Sequence, residues 1–294
     1  MLWILFSILA ALVWAIVSIV DKYIFTKWIR KPVIPLMILG VIGLVASFFV
    51  YLFHGFSYLS YFNIVLAFVA GILYIIGFLF YFKAVKIEEI SRVIPLFYLS
   101  PLFVSILAAV FLGEIFTPIK YLGIFLLIIG AILVSSKNFI KFGFGKAFWF
   151  MIVTSLALSV DAVITKYLLN FADFWTIFSY IRIGAFFALI PIFYFSFKDL
   201  IFVVREHGKK VIIVISLNEI LSVVSVLFIT IATAIGYVTL VNALSSVEPF
   251  FVLLFAVILS IFYPKILKEE IGKSAVLLKL IAITLMFVGV ILII

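Results

Sequence analysis

Glu248 stands beside Pro249 within the apolar stretch VTLVNALSSVEPFFVLLFAVIL, and Ser100 stands beside Pro101 within a second one, VIPLFYLSPLFVSILAAVF. A proline removes one backbone hydrogen bond and frees the carbonyl four residues earlier, here those of Phe97 and Ser245. Freed dipoles beside a carboxylate suit the binding of a charged ligand or a proton. Asp161, Arg182 and Glu219 are three more charges set in apolar runs. Covalent and metal chemistry lack their parts: there is no Cys, and the two histidines, His54 and His207, fall in expected loops without metal spacing. No span carries His, Cys or a paired-aspartate motif. The chain is therefore expected not to be an enzyme and to use no cofactor or metal. An intramembrane enzyme, or a sensory or structural membrane protein, remains the alternative; the last would not need buried carboxylates.

These residues must be held by membrane helices. The 294 residues are 68% hydrophobic and 11% charged, with mean hydropathy +1.50, far from the composition of a soluble domain. About 200 apolar residues, at roughly 20 per crossing, make about ten spans. The runs are long and continuous, which predicts helices rather than barrel strands. They fall near 2–24, 33–53, 63–85, 91–112, 118–136, 147–169, 173–197, 209–233, 237–262 and 275–294. Met1 to Val20 has no basic residue before it, so it is read as a retained first span and not as a signal peptide.

The net charge of +9 is scattered through short connections, which argues against nucleic acid as a partner. Odd-numbered connections carry 18 of the 21 Lys and Arg. Cytoplasmic loops are enriched in these residues, so a multi-pass protein of the cell membrane with both termini outside is expected. Lys22 and Lys166, near helix ends, are expected to snorkel to the interface.

The chain also repeats itself. The Pro101 and Pro249 segments align at an offset of 148, and Trp14–Tyr23 aligns with Leu158–Tyr167 at 144. Gly123 and Gly130 correspond to Ala282 and Gly289, small residues seven apart that permit close helix packing. Five spans per copy is an odd number, so the second copy must cross the membrane in the opposite sense. The fold expected is an all-α membrane protein of ten transmembrane helices in two inverted five-helix repeats, residues 1–140 and 145–294.

The segment KAVKIEEISRVIPLFYLSPLFVSILAAVFLGEIFTPIKYLGIFLLIIGAILV resembles the second part of an EamA-type repeat of the drug/metabolite transporter superfamily. The shared features are an apolar-x-Pro entry, a second proline after a small residue, LGE at the helix end, and a closing helix with spaced glycines. The second half is similar around VEPFFVLLFAVIL but has YPKILKEEIGK in place of LGE, with an insertion. The resemblance implies a ten-helix transporter of small metabolites or drugs with a central cavity between the repeats. It also implies cytoplasmic termini; the charge distribution implies the reverse and is preferred here.

Depth completes the expectation. At ~1.5 Å per residue, Glu248 and Glu219 lie ~15–17 Å into their spans and Asp161 and Arg182 lie at ~13 Å, near the middle of a ~30 Å core. A charge there costs roughly 2.5–3.5 kcal/mol even on the lenient scale, so each must face a cavity or a partner. Asp161 and Arg182, at equal depth on consecutive helices, are expected to pair. In inverted-repeat transporters, discontinuous helices at matching positions build the substrate site. The expected substrate-binding or coupling residues are therefore Ser100, Pro101, Asp161, Arg182, Glu219, Asn242, Ser245, Glu248 and Pro249, with Tyr74, Tyr98 and Asn218 as wall residues. Proton coupling is assigned to Glu248 or Glu219, and Arg182 either anchors an anionic group or pairs with Asp161. Glu114 is read as a helix-end residue. The partners are the lipid bilayer, a small-molecule substrate and protons, and the protein is expected to be a monomer or weak homodimer.

Overall fold

The computed structural model describes residues 2–29, 31–88, 90–97, 99–135, 145–262 and 273–293. In hydrocarbon each backbone N–H and C=O must find its partner within the protein, and a long continuous apolar segment meets this most simply as a helix. Among the described residues twelve helices result: α1 Leu2–Lys27, α2 Val33–His54, α3 Tyr61–Ile87, α4 Ile90–Phe97, α5 Ser100–Leu112, α6 Pro118–Ser135, α7 Lys146–Leu168, α8 Phe174–His207, α9 Lys209–Ile235, α10 Val238–Ser245, α11 Glu248–Phe262 and α12 Lys273–Ile293. No strand occurs among the described residues. Among the described residues seven stretches are long and apolar enough to cross a membrane, and the chain is a multi-pass membrane protein. The expected fourth and ninth spans are each split in two, at Pro101 and at Pro249.

The first break is closed from outside its own helix. Pro101 sits in the first turn of α5, and the carbonyls left over at the end of α4 accept from a neighbour. Ser155 Oγ on α7 lies 3.0 Å from Leu96 O and 3.4 Å from Phe97 O. One turn on, Ser159 Oγ donates to Ser100 O at 3.1 Å. At the second break, α10 ends in a tight turn, with the Ser246 and Val247 amides bonded to Ala243 O and Leu244 O.

Packing follows one scheme. Helix α1 lies along α9 and α7 lies along α3, while α2 pairs with α8 and α6 with α12. Contacts recur at the two offsets found in the sequence. Lys22 Nζ donates to Val85 O and Glu88 O at the end of α3, and Lys166 Nζ donates to Thr233 O and Gly236 O at the end of α9. Lys166 stands 144 residues after Lys22, and Thr233 and Gly236 stand 148 after Val85 and Glu88. Thr154 on α7 donates to Gly77 O on α3, and Ser225 on α9 donates to Ala10 O on α1, the same positions with donor and acceptor exchanged. The snorkelling expected of the two lysines is thus corrected: each ammonium caps the orphan carbonyls at the C-terminus of a helix, where the macrodipole favours a cation.

Helix α8 also departs from expectation. It continues past 197 to His207, and Gly208, at φ 74°, closes it by donating to Val204 O. Only a glycine takes that backbone without strain. At 34 residues the helix is about 50 Å long and outruns the hydrocarbon core, and Lys31 reaches Asp199 on its projecting end at 2.8 Å. At the opposite end Asp173 caps α8. It accepts from the Thr176 amide at 3.0 Å, from the Thr176 hydroxyl at 2.8 Å and from Ser57 at 2.6 Å. Burial opposes its charge, but the Ser57 and Thr176 hydrogen bonds, with His54 nearby, outweigh that and hold the carboxyl below its usual range.

The small residues predicted to face a partner do so between α6 and α12. A Cβ on Gly130 would lie 2.8 Å from Ala282 O, and one on Gly289 would lie 2.8 Å from Gly123 O. Side-chain shifts cannot relieve a clash with backbone, so Gly130→Ile should cost about 1–3 kcal/mol of stability. Thermal unfolding in detergent should give a clearly lower Tm for Gly130→Ile. Leu122→Ala, on the exposed face of α6, should change stability by no more than about 0.5 kcal/mol.

Candidate functional site

The two breaks face one another, since α5 packs on α10, and beside them lies a cavity of about 90 Å³. That is room for roughly six to nine waters at 10–15 Å³ each. Its walls come from both halves: Trp14 from α1, Tyr74 and Phe78 from α3, Phe97, Ser100 and Pro101 at the first break, Asp161 from α7, Arg182 from α8, and Asn242, Ser245 and Glu248 at the second. Eight sequence-predicted site residues are therefore brought together: Tyr74, Ser100, Pro101, Asp161, Arg182, Asn242, Ser245 and Glu248. Pro249 is buried in the first turn of α11 but is not a wall residue. Tyr98 lies outside the described residues. Glu219 and Asn218 are buried elsewhere, toward the start of α9.

Hydrogen bonding fixes what each wall residue can offer. Ser100 Oγ and Ser159 Oγ lie 2.9 Å apart, so Ser100 is tied to α7. Ser245 donates its single hydroxyl proton to Val241 O at 2.9 Å, leaving it an acceptor toward any guest. Asn242 Nδ2 donates to Val238 O at 3.0 Å and so also stays close to its own helix. Glu248, 4% exposed, accepts from Ser18 Oγ of α1 at 2.9 Å.

The expected Asp161–Arg182 pair is not formed. Neither a hydrogen bond nor an ion pair joins them; Asp161 Oδ1 and Arg182 Nε are both buried without a partner. Arg182 instead lays its guanidinium over the Tyr74 ring, with Cζ 3.7 Å from the centroid and 5.9 Å from that of Phe178. The aliphatic stem of the side chain packs against Gly43, a glycine with no Cβ to obstruct it. A desolvated cation over an aromatic face gains about 2 kcal/mol. That anchors Arg182 on α3 and leaves its Nε–H donor unused. Opposite charges thus line one cavity without cancelling each other by contact.

Sequence reasoning missed a second polar centre. Asp21 falls in the last turn of the first expected span, near 2–24, and no role was assigned to it from sequence. Because α1 runs on to Lys27, Asp21 is interior and 2% exposed. Asn218 Nδ2 donates to its Oδ1 at 2.8 Å and Tyr81 OH to its Oδ2 at 3.4 Å. Glu219, 2% exposed, is within electrostatic range of it. Glu114 was likewise underrated as a helix-end residue. It is buried, and its carboxylate accepts from the amides of Val238 and Thr239 and from the Thr239 hydroxyl, capping the N-terminus of α10. No group of three or more His, Cys, Asp and Glu suited to a metal occurs among the described residues.

Comparison with known proteins agrees with this architecture. Residues 1–136 match the EamA-like transporter family, part of the drug/metabolite transporter superfamily. No curated protein gives a significant match. Among the solved structures that match, one crystal structure superposes with a TM-score of 0.73 over 99% of this chain and 94% of its own, at 17% identity. At that identity the likeness concerns fold alone.

The Arg182–Tyr74 contact separates ring from hydroxyl. Tyr74 OH is buried and unpartnered, so Tyr74→Phe should leave stability unchanged or slightly raised. Tyr74→Leu removes the ring and should lower stability by about 2 kcal/mol. Thermal melts of the two purified proteins in the same detergent would check the difference.

Proposed function

We propose that this chain is a membrane transporter of small metabolites or drugs that works by alternating access, with its substrate site in the cavity between the two helix breaks. The observation that carries the reading is the convergence of charges of both signs and two interrupted helices on one cavity. Broken helices at matching positions are the way inverted-repeat transporters build a midplane site. The recurring Lys22 and Lys166 caps, and the α1–α9 and α7–α3 contacts at constant offsets, support two inverted repeats, residues 1–140 and 145–294.

Within this reading Arg182 takes an anionic group of the substrate with its unused Nε–H, while Asp161 and Glu248 accept a cationic group or a proton. Closing each cytoplasmic or outer half of the protein in turn exposes the site to one side. The coupling ion is the proton, and the carboxylates assigned to it from sequence are Glu248, in the cavity wall, and Glu219, away from it.

Uptake of labelled solutes into proteoliposomes, screened over amino acids, nucleosides and sugar phosphates, should give saturable transport of one class. Arg182→Ala should lose it. Glu248→Gln should preserve exchange across the membrane and abolish accumulation driven by a pH gradient. Pure leak for every class would sink the reading. Orientation is tested separately, since the chain has no Cys background. With both termini outside, Tyr58→Cys, exposed before α3, should react with an impermeant thiol reagent in whole cells, and Lys209→Cys, exposed at the start of α9, should not. The opposite labelling would reverse the orientation.

A further inference from the structure

Toward the basic-loop end of the bundle, one helical turn beyond Ser18 on α1, lies the second polar centre. Asp21 receives a donor on each carboxylate oxygen, from Asn218 and from Tyr81. Glu219 Oε1 has none, and neither do Asn218 Oδ1 and Ser222 Oγ, all of them buried. Among the described residues no basic group pairs with either acid. Lys22, next to Asp21 in sequence, directs its ammonium at Val85 O and Glu88 O, and Arg182 of α8 lies over Tyr74.

The surrounding elements bring little else that titrates. Helix α3 contributes Tyr74 and Tyr81, and α11 contributes Glu248, bonded to Ser18. Helix α2 carries Tyr51 and His54, both in its last turn. Helix α4 carries Arg92, whose side chain lies outside the described residues.

We infer that Asp21 and Glu219 form a one-proton site, separate from the cavity, in which Asp21 holds the negative charge and Glu219 carries the exchangeable proton. The assignment follows from the hydrogen bonds. Two donors stabilise an ionised Asp21, whereas an ionised Glu219 would leave a charged oxygen buried with no donor at all. Neighbouring carboxylates with no cation between them do not all ionise in such surroundings, and Asp21 and Glu219, with Glu248 of the cavity wall also in range of Asp21, titrate as coupled groups. Loading adds H⁺ to a Glu219 carboxylate oxygen and makes one O–H bond; release breaks that bond and returns H⁺ to water, taking the pair from −1 to −2. Contact with the cavity runs along α1, where Ser18 holds Glu248 in the wall and Asp21 holds Asn218 of α9. The use of this proton in coupling rests on the transporter reading; the site itself does not.

The test is the protein's own infrared spectrum. Acid-minus-alkaline difference spectra of the full chain in lipid nanodiscs should contain a protonated-carboxyl C=O band that disappears in Glu219→Gln. In Asp21→Asn the band should persist at a shifted frequency, because the acid has lost its charged neighbour. A band unchanged in Glu219→Gln overturns the assignment, as does a band indifferent to Asp21→Asn. If Glu219→Gln does not purify as a monodisperse protein, Glu219→Asp keeps the acid but shortens it, and an unshifted band there is equally fatal. None of these outcomes depends on a solute being carried, so failure of the uptake screen and failure of this site are read independently.

Discussion

Hydrocarbon cannot hydrogen-bond to a carbonyl, and the rest of this structure depends on that constraint. A continuous helix meets it without help, and most of the bundle consists of such helices. Each proline break leaves backbone groups that the lipid cannot satisfy, so both breaks must lie inside the protein, against polar side chains. That requirement places α4–α5 and α10–α11 in contact with α7 and α1. It also explains why Ser155 and Ser159 are on α7, one turn apart, facing Leu96, Phe97 and Ser100. The polar interior is thus a consequence of the interruptions as much as a place for a ligand.

The same accounting governs helix ends. Lys22 and Lys166 stand close to the membrane boundary, where an ammonium has a choice between headgroups and protein. Both choose the C-terminal carbonyls of a neighbouring helix, α3 and α9 respectively. Glu114 does the converse at the N-terminus of α10. At the α9–α10 turn a cation and an anion therefore hold opposite dipole ends on either side of Gly236. The short helix α10 is fixed at its start before it reaches the cavity with Asn242 and Ser245.

Much of this was legible in the sequence, and what was not has a physical reason. Continuous apolar runs give the spans, a proline beside a small or acidic residue gives the breaks, and glycines seven apart give the α6–α12 contact, because each is a local rule with one dominant cause. Pairing of Asp161 with Arg182 failed as an expectation because depth is measured along a helix axis and says nothing of azimuth. The two residues reach one cavity at similar depth, yet Arg182 finds the face of Tyr74 on α3 first. Asp21 was missed because its role depends on where α1 ends. Three more residues of helix, to Lys27, turn an interfacial aspartate into a buried one. Glu219 is buried as expected, but only the packing of α9 along α1 determines that it lies on the side of Asp21 and is not a wall residue of the cavity.

The two halves, so similar in their contacts, differ in how they treat their breaks. The first break is closed by neutral hydroxyls from α7, at positions where α1 has Ala11 and Ala15. With only alanines there, α1 offers the second break no equivalent, and the polar group comes from the break itself, as Glu248, met by Ser18 a turn beyond Ala15. A hydroxyl satisfying a carbonyl is a fixed contact with nothing to titrate. Glu248, whose partners include the Ser18 hydroxyl, is by contrast an ionisable group. The neutral staple thus lies in one half and the ionisable side chain in the other.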